Sequence, residues 1–385
     1  MEQTESGGID VRVLVLIDAF RMGGAETLLA PMVVASRATD VEMDVVSISP
    51  ESFNAAKTMT ILANAGISTR SLGITRLLDP TAIPKLTKLI RDGHYDVVHA
   101  HLEMAMTLAL PVTRLARVPL VATFHHVARP LSGRAVWRER LAVEAATASR
   151  RALFVSEASR RSFADTYRPH GLPGNWEVMH NGIDVSTFVA GEPDPQVRAE
   201  IGGTGDHLVV IPAAFRDFKG IPNAIRAWPA VLAEHPGAVL SLVGGGELED
   251  ELRAEVAALG LEDSVHFAGV RTDMPAVYRA ADVVLLPSTH GENLPTVLIE
   301  ASATGRAVAA SRIGGIPDIV ADGDTGLLFE PHDPAALAEV VNKLLADASL
   351  RDTLGSAAEV RAREHFSSDA WMARLADTYT EIVAR

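Results

Sequence analysis

Val283-Val-Leu-Leu-Pro-Ser-Thr-His-Gly-Glu-Asn-Leu-Pro-Thr-Val-Leu-Ile-Glu300 decides the fold class. The apolar run that stops at Pro287 reads as a short buried strand, the residues around Gly291 as a loop, and the segment from Pro295 as the start of a helix. Pro295 suits a first helical turn, where its missing N–H is no loss, and it leaves free amides at the carboxyl edge of a sheet. That end of a helix favours an anion such as a diphosphate. Glu292 and Glu300 would then stand two turns and roughly 12 Å of rise apart, able to face one cleft without sharing a proton. A carboxylate beside a diphosphate is repelled by it. Glu292 therefore fits only as an acceptor of hydroxyl hydrogen bonds, and Glu300 as a grip on a vicinal diol such as ribose. Taken alone, both could also be solvated glutamates on an exposed helix.

The same strand-to-helix pattern repeats along the chain. Strands are expected at Val11–Ile17, Val41–Ile48, Asp96–His99, Leu120–Thr123, Arg151–Val155 and Trp176–Met179, with helical segments between them. A second set starts at His207–Ile211 and continues through Val239–Val243, Ser264–Phe267, Val283–Leu286 and Ala307–Ala309. Alternation of this kind predicts α/β architecture with parallel sheets. Gly182–Gly205, rich in Gly and Pro, reads as loop and linker between two doubly wound halves. The expected domains are 1–190 and 191–367. Leu337, Val340, Val341, Leu344 and Leu345 form an apolar helical stripe, and Ala370–Ala384 reads as the last helix.

A chain of 385 residues with 48% apolar and 22% charged residues has ordinary globular composition and room for two cores. It contains no cysteine, which removes disulfides, thiolate nucleophiles and cysteine-ligated zinc. Its net charge of −14 argues against a nucleic-acid binder. Met1–Asp10 is polar and acidic, with neither the basic nor the apolar part of a leader, so the expected location is cytoplasmic. The acidity is uneven: Arg129–Arg168 holds nine arginines against four acidic residues. That segment suggests docking on an anionic membrane surface or on a phosphorylated acceptor, against the plainer alternative of a solvated helical face.

Further candidates follow the strand ends. In Ala213-Ala-Phe-Arg-Asp-Phe-Lys-Gly220, Arg216 and Lys219 come just past a strand's carboxyl end, where cations neutralise a leaving diphosphate, or simply begin a helix. Gly23-Gly24, Gly244-Gly245-Gly246 and Gly314-Gly315 either admit a ligand to the backbone or turn the chain. Arg21-Met-Gly-Gly-Ala-Glu26 is not Gly-x-Gly-x-x-Gly, which counts against a nicotinamide or flavin oxidoreductase. His99, His101, His125 and His126 end two strands. With no carboxylate at ligand spacing they are read as polar pocket lining, or as structural histidines, and no metal ligand is assigned. His125 is placed to hydrogen-bond a sugar hydroxyl.

In combination these pieces resemble glycosyltransferase family 4, retaining enzymes of the GT-B fold, from about Val11 to Phe329. The matching stretches are Gly23-Gly-Ala-Glu26, Asp96-Val-Val-His-Ala-His101, Thr123-Phe-His-His126, Val178-Met-His-Asn-Gly-Ile-Asp184, Lys219-Gly220, Leu242-Val-Gly-Gly-Gly-Glu247, Ala281-Asp-Val-Val-Leu-Leu-Pro-Ser288 and the two glutamates. The resemblance implies two Rossmann-like domains facing each other across a cleft, the first joined by the C-terminal helix 368–385. A nucleoside diphosphate sugar, UDP- or GDP-linked, would sit on the second domain. A glycan, lipid-linked saccharide or small aglycone would be the acceptor.

By the same resemblance Glu292 touches the donor hexose and the backbone of Asn293, Leu294, Pro295 and Thr296 holds the diphosphate. Glu300 binds the ribose, Arg216 and Lys219 hold the diphosphate from the opposite wall, and Val270 and Arg271 lie near the base. His125 and Gly24 come from the acceptor domain, with Asn181-Gly182 at the hinge. The family's reaction needs neither metal nor other cofactor. Two departures stand out: Ala214 occupies the place of the family's arginine, with Arg216 two residues later, and the loop reads Glu-Asn-Leu-Pro where Glu-Gly-Phe-Pro is frequent. The rival readings are a GT-B nucleotide-sugar epimerase and a catalytically silent sugar-nucleotide-binding subunit.

Overall fold

The computed structural model describes residues 11–128, 130–203 and 205–384. Met1–Asp10, on which the reading of an absent leader rests, and Arg129, the first arginine of the basic segment, lie outside the described residues. The chain divides into two compact units: one runs to Ile183 and takes back the segment from Ser368, the other spans Asp184–Ser367.

Among the described residues, the first unit holds seven strands: β1 (Val11–Ile17), β2 (Val41–Ser47), β3 (Thr69–Ser71), β4 (Val97–His101), β5 (Leu120–Phe124), β6 (Arg151–Phe154) and β7 (Trp176–Val178). They form one parallel sheet in the order β3-β2-β1-β4-β5-β6-β7. β1 is almost wholly buried along Val-Arg-Val-Leu-Val-Leu-Ile, as expected of a central parallel strand covered on both faces. Phe124 stacks on Phe154 with ring centroids 5.0 Å apart and packs at a tilt against Phe163 at 4.4 Å, a residue of helix Glu157–Tyr167. The last helix, Ser368–Val383, buries Trp371, Met372, Leu375, Tyr379 and Ile382 in this unit.

The second unit repeats the plan with β8 (His207–Pro212), β9 (Ala238–Val243), β10 (Val265–Gly269), β11 (Val283–Leu286), β12 (Ala307–Ser311) and β13 (Leu327–Phe329), ordered β10-β9-β8-β11-β12-β13. In both sheets the order reverses beside the first strand, between β1 and β4 and between β8 and β11. Loops leaving the carboxyl ends of those strands diverge and open a crevice, the usual ligand position in such sheets.

Two short strands, β3 and β13, were not expected from the sequence. Each has only three residues, and Thr-Arg-Ser carries no apolar signal. The linker is not all loop either. Asp194 accepts from the Gln196 amide at 2.8 Å and, with Pro195 in the first turn, starts the helix Pro195–Glu200. No helix among the described residues is long and apolar enough to cross a membrane.

Candidate active site

In the second unit, the loops after β8 and β11 meet. The chain leaves β8, makes a tight turn at Asp217–Lys219, and enters helix Ile221–Glu234 through Gly220, whose φ is +63°. Gly220 lies so close to β11 that a Cβ there would stand 2.0 Å from the Pro287 carbonyl oxygen. The Thr289 amide donates to Phe218 O at 2.8 Å, fastening the two loops. Across this junction Lys219 Nζ donates to Glu292 Oε1 at 2.5 Å, and Ser288 Oγ donates to the same oxygen at 2.6 Å. Oε2 takes no hydrogen bond from any described residue. Glu292 is buried and the Lys219 side chain only 16% exposed, so the pair is shielded from water.

Glu292 is therefore not on a helix. The helix begins at Thr296 and ends at Ala303, with Pro295 as its N-cap residue, one position before the first turn. The two-turn spacing to Glu300 does not apply, because Gly291 at φ +74° swings the loop inward toward Lys219. Gly314 backs this loop: at φ +57° it lets the β12 connection approach until a Cβ would sit 2.0 Å from the Glu292 carbonyl oxygen. In the first turn the Leu298 amide donates to Pro295 O at 3.2 Å, and helical geometry leaves the Thr296 and Val297 amides without intrahelical partners. Asn293, Leu294 and Thr296 are partly exposed beside them and Pro295 is buried.

Glu300 is half-buried and accepts from Tyr278 Oη through Oε2 at 2.7 Å. Burial pushes its carboxyl above the usual range, and the bonds from Tyr278 and Thr296 oppose that rise. Arg216, the residue before the turn, is exposed and makes no ion pair among the described residues. Lys219 and Arg216 thus do not act as a matched pair in this structure: one is drawn inward, the other is free. Val270 is exposed beside Gly245. Arg271 is gripped by Asp273 at 2.6 and 2.8 Å and by Glu200 of the linker helix at 2.9 Å, a structural tie that spacing did not reveal. In the Gly244-Gly245-Gly246 run, Gly244 lies against Ala213 and Gly246 against Phe215, too close for a Cβ at either position.

In the first unit, β4 and β5 bring three histidines together. His99 lies between Tyr379 Oη and Thr123 Oγ1, both at 2.6 Å. His101 Nδ1 is 2.8 Å from His125 Nε2, and His125 Nδ1 is 3.4 Å from the Asn181 amide. Burial drives the His99 imidazolium down to about 3 and those of His101 and His125 well below the ordinary histidine value, so all three are neutral. His101 Nε2 and Asn181 Oδ1 are buried without a partner among the described residues. Gly24 opens the short helix Gly24–Thr27 after β1, with nothing within 4 Å of where a Cβ would be.

Sequence reading missed a second cluster. Glu103, His126 and Glu139 each offer a ligand atom within 4.8 Å of the others. Glu139 is buried, takes Tyr167 Oη at 2.5 Å and lies 3.3 Å from His126 Nε2, which accounts for it as a satisfied carboxylate. Its members are far apart in sequence and fall on no recognisable spacing. Four arginines of the basic segment are spent in ion pairs, whereas Arg134, Arg138, Arg140 and Arg150 make none among the described residues. Arg151 pairs with Glu177 and Glu381, Arg160 and Arg161 with Glu157, and Arg168 with Glu144.

Comparison with known proteins now bears on these two units. The sequence matches Glycosyltransferase Family 4 over residues 22–187 and Glycosyl transferases group 1 over residues 196–361. The D-inositol 3-phosphate glycosyltransferase of Salinispora arenicola is 31% identical over 317 residues, 76% of this chain and 70% of the relative. This chain belongs to glycosyltransferase family 4. The corresponding enzyme of Salinispora tropica is 31% identical over 318 residues, 76% of this chain and 65% of its own length, so the glycosyltransferase spans about two thirds of the curated relatives it matches. The Anabaena protein HepE, solved in complex with UDP, superposes with a TM-score of 0.82 at 25% identity, over 96% of this glycosyltransferase and all of that chain. A Rickettsia africae glycosyltransferase matches with a TM-score of 0.82 at 16% identity, over 97% and 99% of the two chains, which supports the GT-B fold alone.

Proposed function

We propose that the enzyme moves a hexose, with retention at its anomeric carbon, from a nucleoside diphosphate sugar to an acceptor hydroxyl. The observation that carries this reading is the buried Lys219–Glu292 pair at the carboxyl edge of the second sheet, beside the N-terminus of helix Thr296–Ala303. Lys219, Arg216 and the backbone of Asn293, Leu294, Pro295 and Thr296 hold the diphosphate. Glu292, anchored through Oε1, turns Oε2 to a hexose hydroxyl. Glu300, anchored by Tyr278 through Oε2, turns its other oxygen to the ribose diol. Val270 and the backbone at Arg271 border the base.

The acceptor oxygen forms its bond to the anomeric carbon on the face from which the diphosphate oxygen departs. The departing oxygen takes the acceptor's proton, and its charge is met by Lys219, Arg216 and the helix amides as it develops. The scheme needs no metal. Neutral His125, held at Nε2 by His101, can exchange its loose Asn181 contact for a sugar hydroxyl, and Gly24 offers a bare backbone to a substrate. HepE is solved with UDP-glucose and the curated relatives are named for D-inositol 3-phosphate, which supports a uridine-linked hexose donor and a small polyol acceptor. The ion pairs of Arg151, Arg160, Arg161 and Arg168 leave the membrane reading to Arg150 and to helix Arg134–Thr147, where Arg134, Trp137, Arg138, Arg140 and Leu141 are exposed.

The test is a thermal-shift panel of UDP, GDP, ADP and TDP on the wild type and on Lys219→Ala. One nucleotide, expected to be UDP, should raise the transition, by about 2.7 kcal/mol at a hundredfold excess over its dissociation constant, and the variant should lose that increment. No shift with any of the four would sink the donor site.

A further inference from the structure

Three imidazoles stand in a row at the carboxyl edge of the first sheet, and packing alone gives no reason for them. His99 and His101 are two residues apart on β4 and so share one face of the sheet, and His125 directly follows β5, the strand beside them. His99 and His101 are each 1% exposed, whereas His125 is partly exposed. Burying a polar ring costs free energy unless its nitrogens find partners. Apolar side chains would fill the same space without that cost.

The proton positions along the row follow from which atoms have partners. His99 is satisfied at both nitrogens, by Tyr379 Oη and Thr123 Oγ1, and its ring centroid lies 4.2 Å from that of His101 with the planes tilted 35°. His99 therefore buttresses the His101 ring and takes no part in its hydrogen bonding. His101 Nδ1 stands 2.8 Å from His125 Nε2, and His101 Nε2 is buried with no partner among the described residues. Both rings are neutral, so each carries one proton, and only one of the two can lie between them. If His125 donated, the His101 proton would stand on Nε2 as a buried N–H with nothing to accept it. If His101 donates from Nδ1, its Nε2 keeps only a lone pair, and the His125 proton stands on Nδ1. A buried N–H without an acceptor is rarer in folded chains than an acceptor without a donor, which favours the second arrangement. Asn181 agrees with it. Its amide lies 3.4 Å from His125 Nδ1, and Oδ1 is otherwise buried without a partner among the described residues. Half a turn of that amide, which leaves its shape unchanged, brings Oδ1 to accept the Nδ1 proton.

Resting on the sugar contact given above to His125, we propose that His101 is a positioning residue for the transfer reaction: its Nδ1–H holds the His125 proton on Nδ1, so that His125 meets a sugar hydroxyl as a hydrogen-bond donor and not as a base. The hydrogen bond made by one ring nitrogen decides what the other offers. With its one lone pair spent on His101, His125 has no place for the acceptor's proton. That proton is left to the departing phosphate oxygen, as the front-face scheme requires. The loose contact to Asn181 keeps the donor occupied until a hydroxyl oxygen replaces it.

The test is imidazole nitrogen NMR on the full chain with isotopically labelled histidine, since a ring nitrogen that bears a proton and one that bears a lone pair resonate apart. His101→Asn, His101→Leu and His125→Asn assign the two rings among the 13 histidines. In the free wild type at neutral pH, both rings should carry their proton on Nδ1. His101→Leu, which has no donor, should let the His125 proton spread to Nε2. UDP-glucose should then bind on the order of tenfold more weakly while UDP binds as before. His101→Asn, whose amide nitrogen stands near the place of Nδ1, should return the proton to Nδ1 and recover most of the UDP-glucose affinity. A wild-type proton on His125 Nε2, an unmoved proton in His101→Leu, or equal UDP-glucose binding by wild type and His101→Leu would each overturn the proposal. So would His101→Asn behaving as His101→Leu does, because a side chain that only fills space is not rescued by restoring a donor. The proton positions are read without substrate: failure of the wild type to bind UDP refutes the donor reading instead, and leaves the spectra to decide the role of His101.

Discussion

Lys219 and Glu292 are 73 residues apart in sequence and share one buried hydrogen bond. Removing the lysine leaves a carboxylate in a site closed to water. Lys219→Met is therefore expected to cost about 2–3 kcal/mol, somewhat under the figure for a fully buried pair because the lysine is partly solvated. Glu292→Gln, which keeps an acceptor for Lys219 and Ser288, should cost about 1 kcal/mol. With Glu292→Leu as the second single variant, the double variant Lys219→Met/Glu292→Leu should be more stable than the sum of the Lys219→Met and Glu292→Leu losses by about 2 kcal/mol in denaturant titrations; strict additivity would show that the two side chains are not coupled. The histidines make a separate prediction. Their folded-state proton affinities are depressed, so below about pH 6.5 the unfolded chain binds more protons than the folded one, and stability falls as pH falls, down to about pH 3 for His99. Each imidazole contributes about 1.4 kcal/mol per pH unit. Asp18 works in the opposite direction: burial raises its carboxyl to about 6, so acidification from there to 3.8 relieves a cost of similar slope. The raised carboxyls of Glu26 and Glu300 act in the direction of Asp18, and the lowered His207 in that of the three histidines. The histidines are therefore tested in the window above the carboxyls: a urea midpoint that does not fall between about pH 7.5 and 6 would mean that the three imidazoles are not held neutral.

At the scale of elements, the loops rather than the strands decide what the site can do. Gly314 and Gly24 sit in comparable positions after sheet strands and should respond oppositely to a methyl group. Gly314→Ala forces a left-handed backbone on alanine, at about 1–2 kcal/mol, and drives a Cβ into the Glu292 carbonyl. It should lower the melting transition and shrink the UDP-induced shift. Gly24→Ala meets open space and should leave stability within about 0.5 kcal/mol, with any effect confined to KM. Equal destabilisation by the two would contradict the packing described for Gly314. The same contrast explains how far the sequence could be read. Strands such as Val11–Ile17 and Val283–Leu286 are legible because long buried β-branched runs have no other use. The helix Pro195–Glu200 was hidden in a Gly- and Pro-rich stretch whose one informative signal is Asp194 before Pro195. Glu292 was placed on a helix because spacing along a chain cannot foresee the turn at Gly291. That turn carries the carboxylate to Lys219.

For the whole molecule, the chain's end belongs with its beginning. Helix Ser368–Val383 follows the second unit in sequence yet buries Trp371, Met372, Leu375, Tyr379 and Ile382 in the first, and Tyr379 closes the hydrogen-bond chain through His99 to Thr123. That crossing was expected from the family resemblance alone, since an amphipathic pattern says which face of a helix is buried and not against what. Five large side chains at about 1.5–3 kcal/mol each amount to roughly 10 kcal/mol, comparable to the stability of an entire domain. Stopping the chain after Ser367 should therefore unfold the first unit while the second keeps its own core of Trp228, Leu240 and Leu285. Hydrogen exchange should find the amides of β1, β4 and β5 unprotected in the truncated chain. UDP should still slow exchange around Lys219 and Thr296. Tyr379→Phe, which keeps the ring and deletes only the bond to His99, should cost about 1 kcal/mol and leave β4 protected. Protected β4 amides in the truncated chain would mean that the first sheet is stable without its returning helix, and would move the boundary between the two folding units away from Ser367.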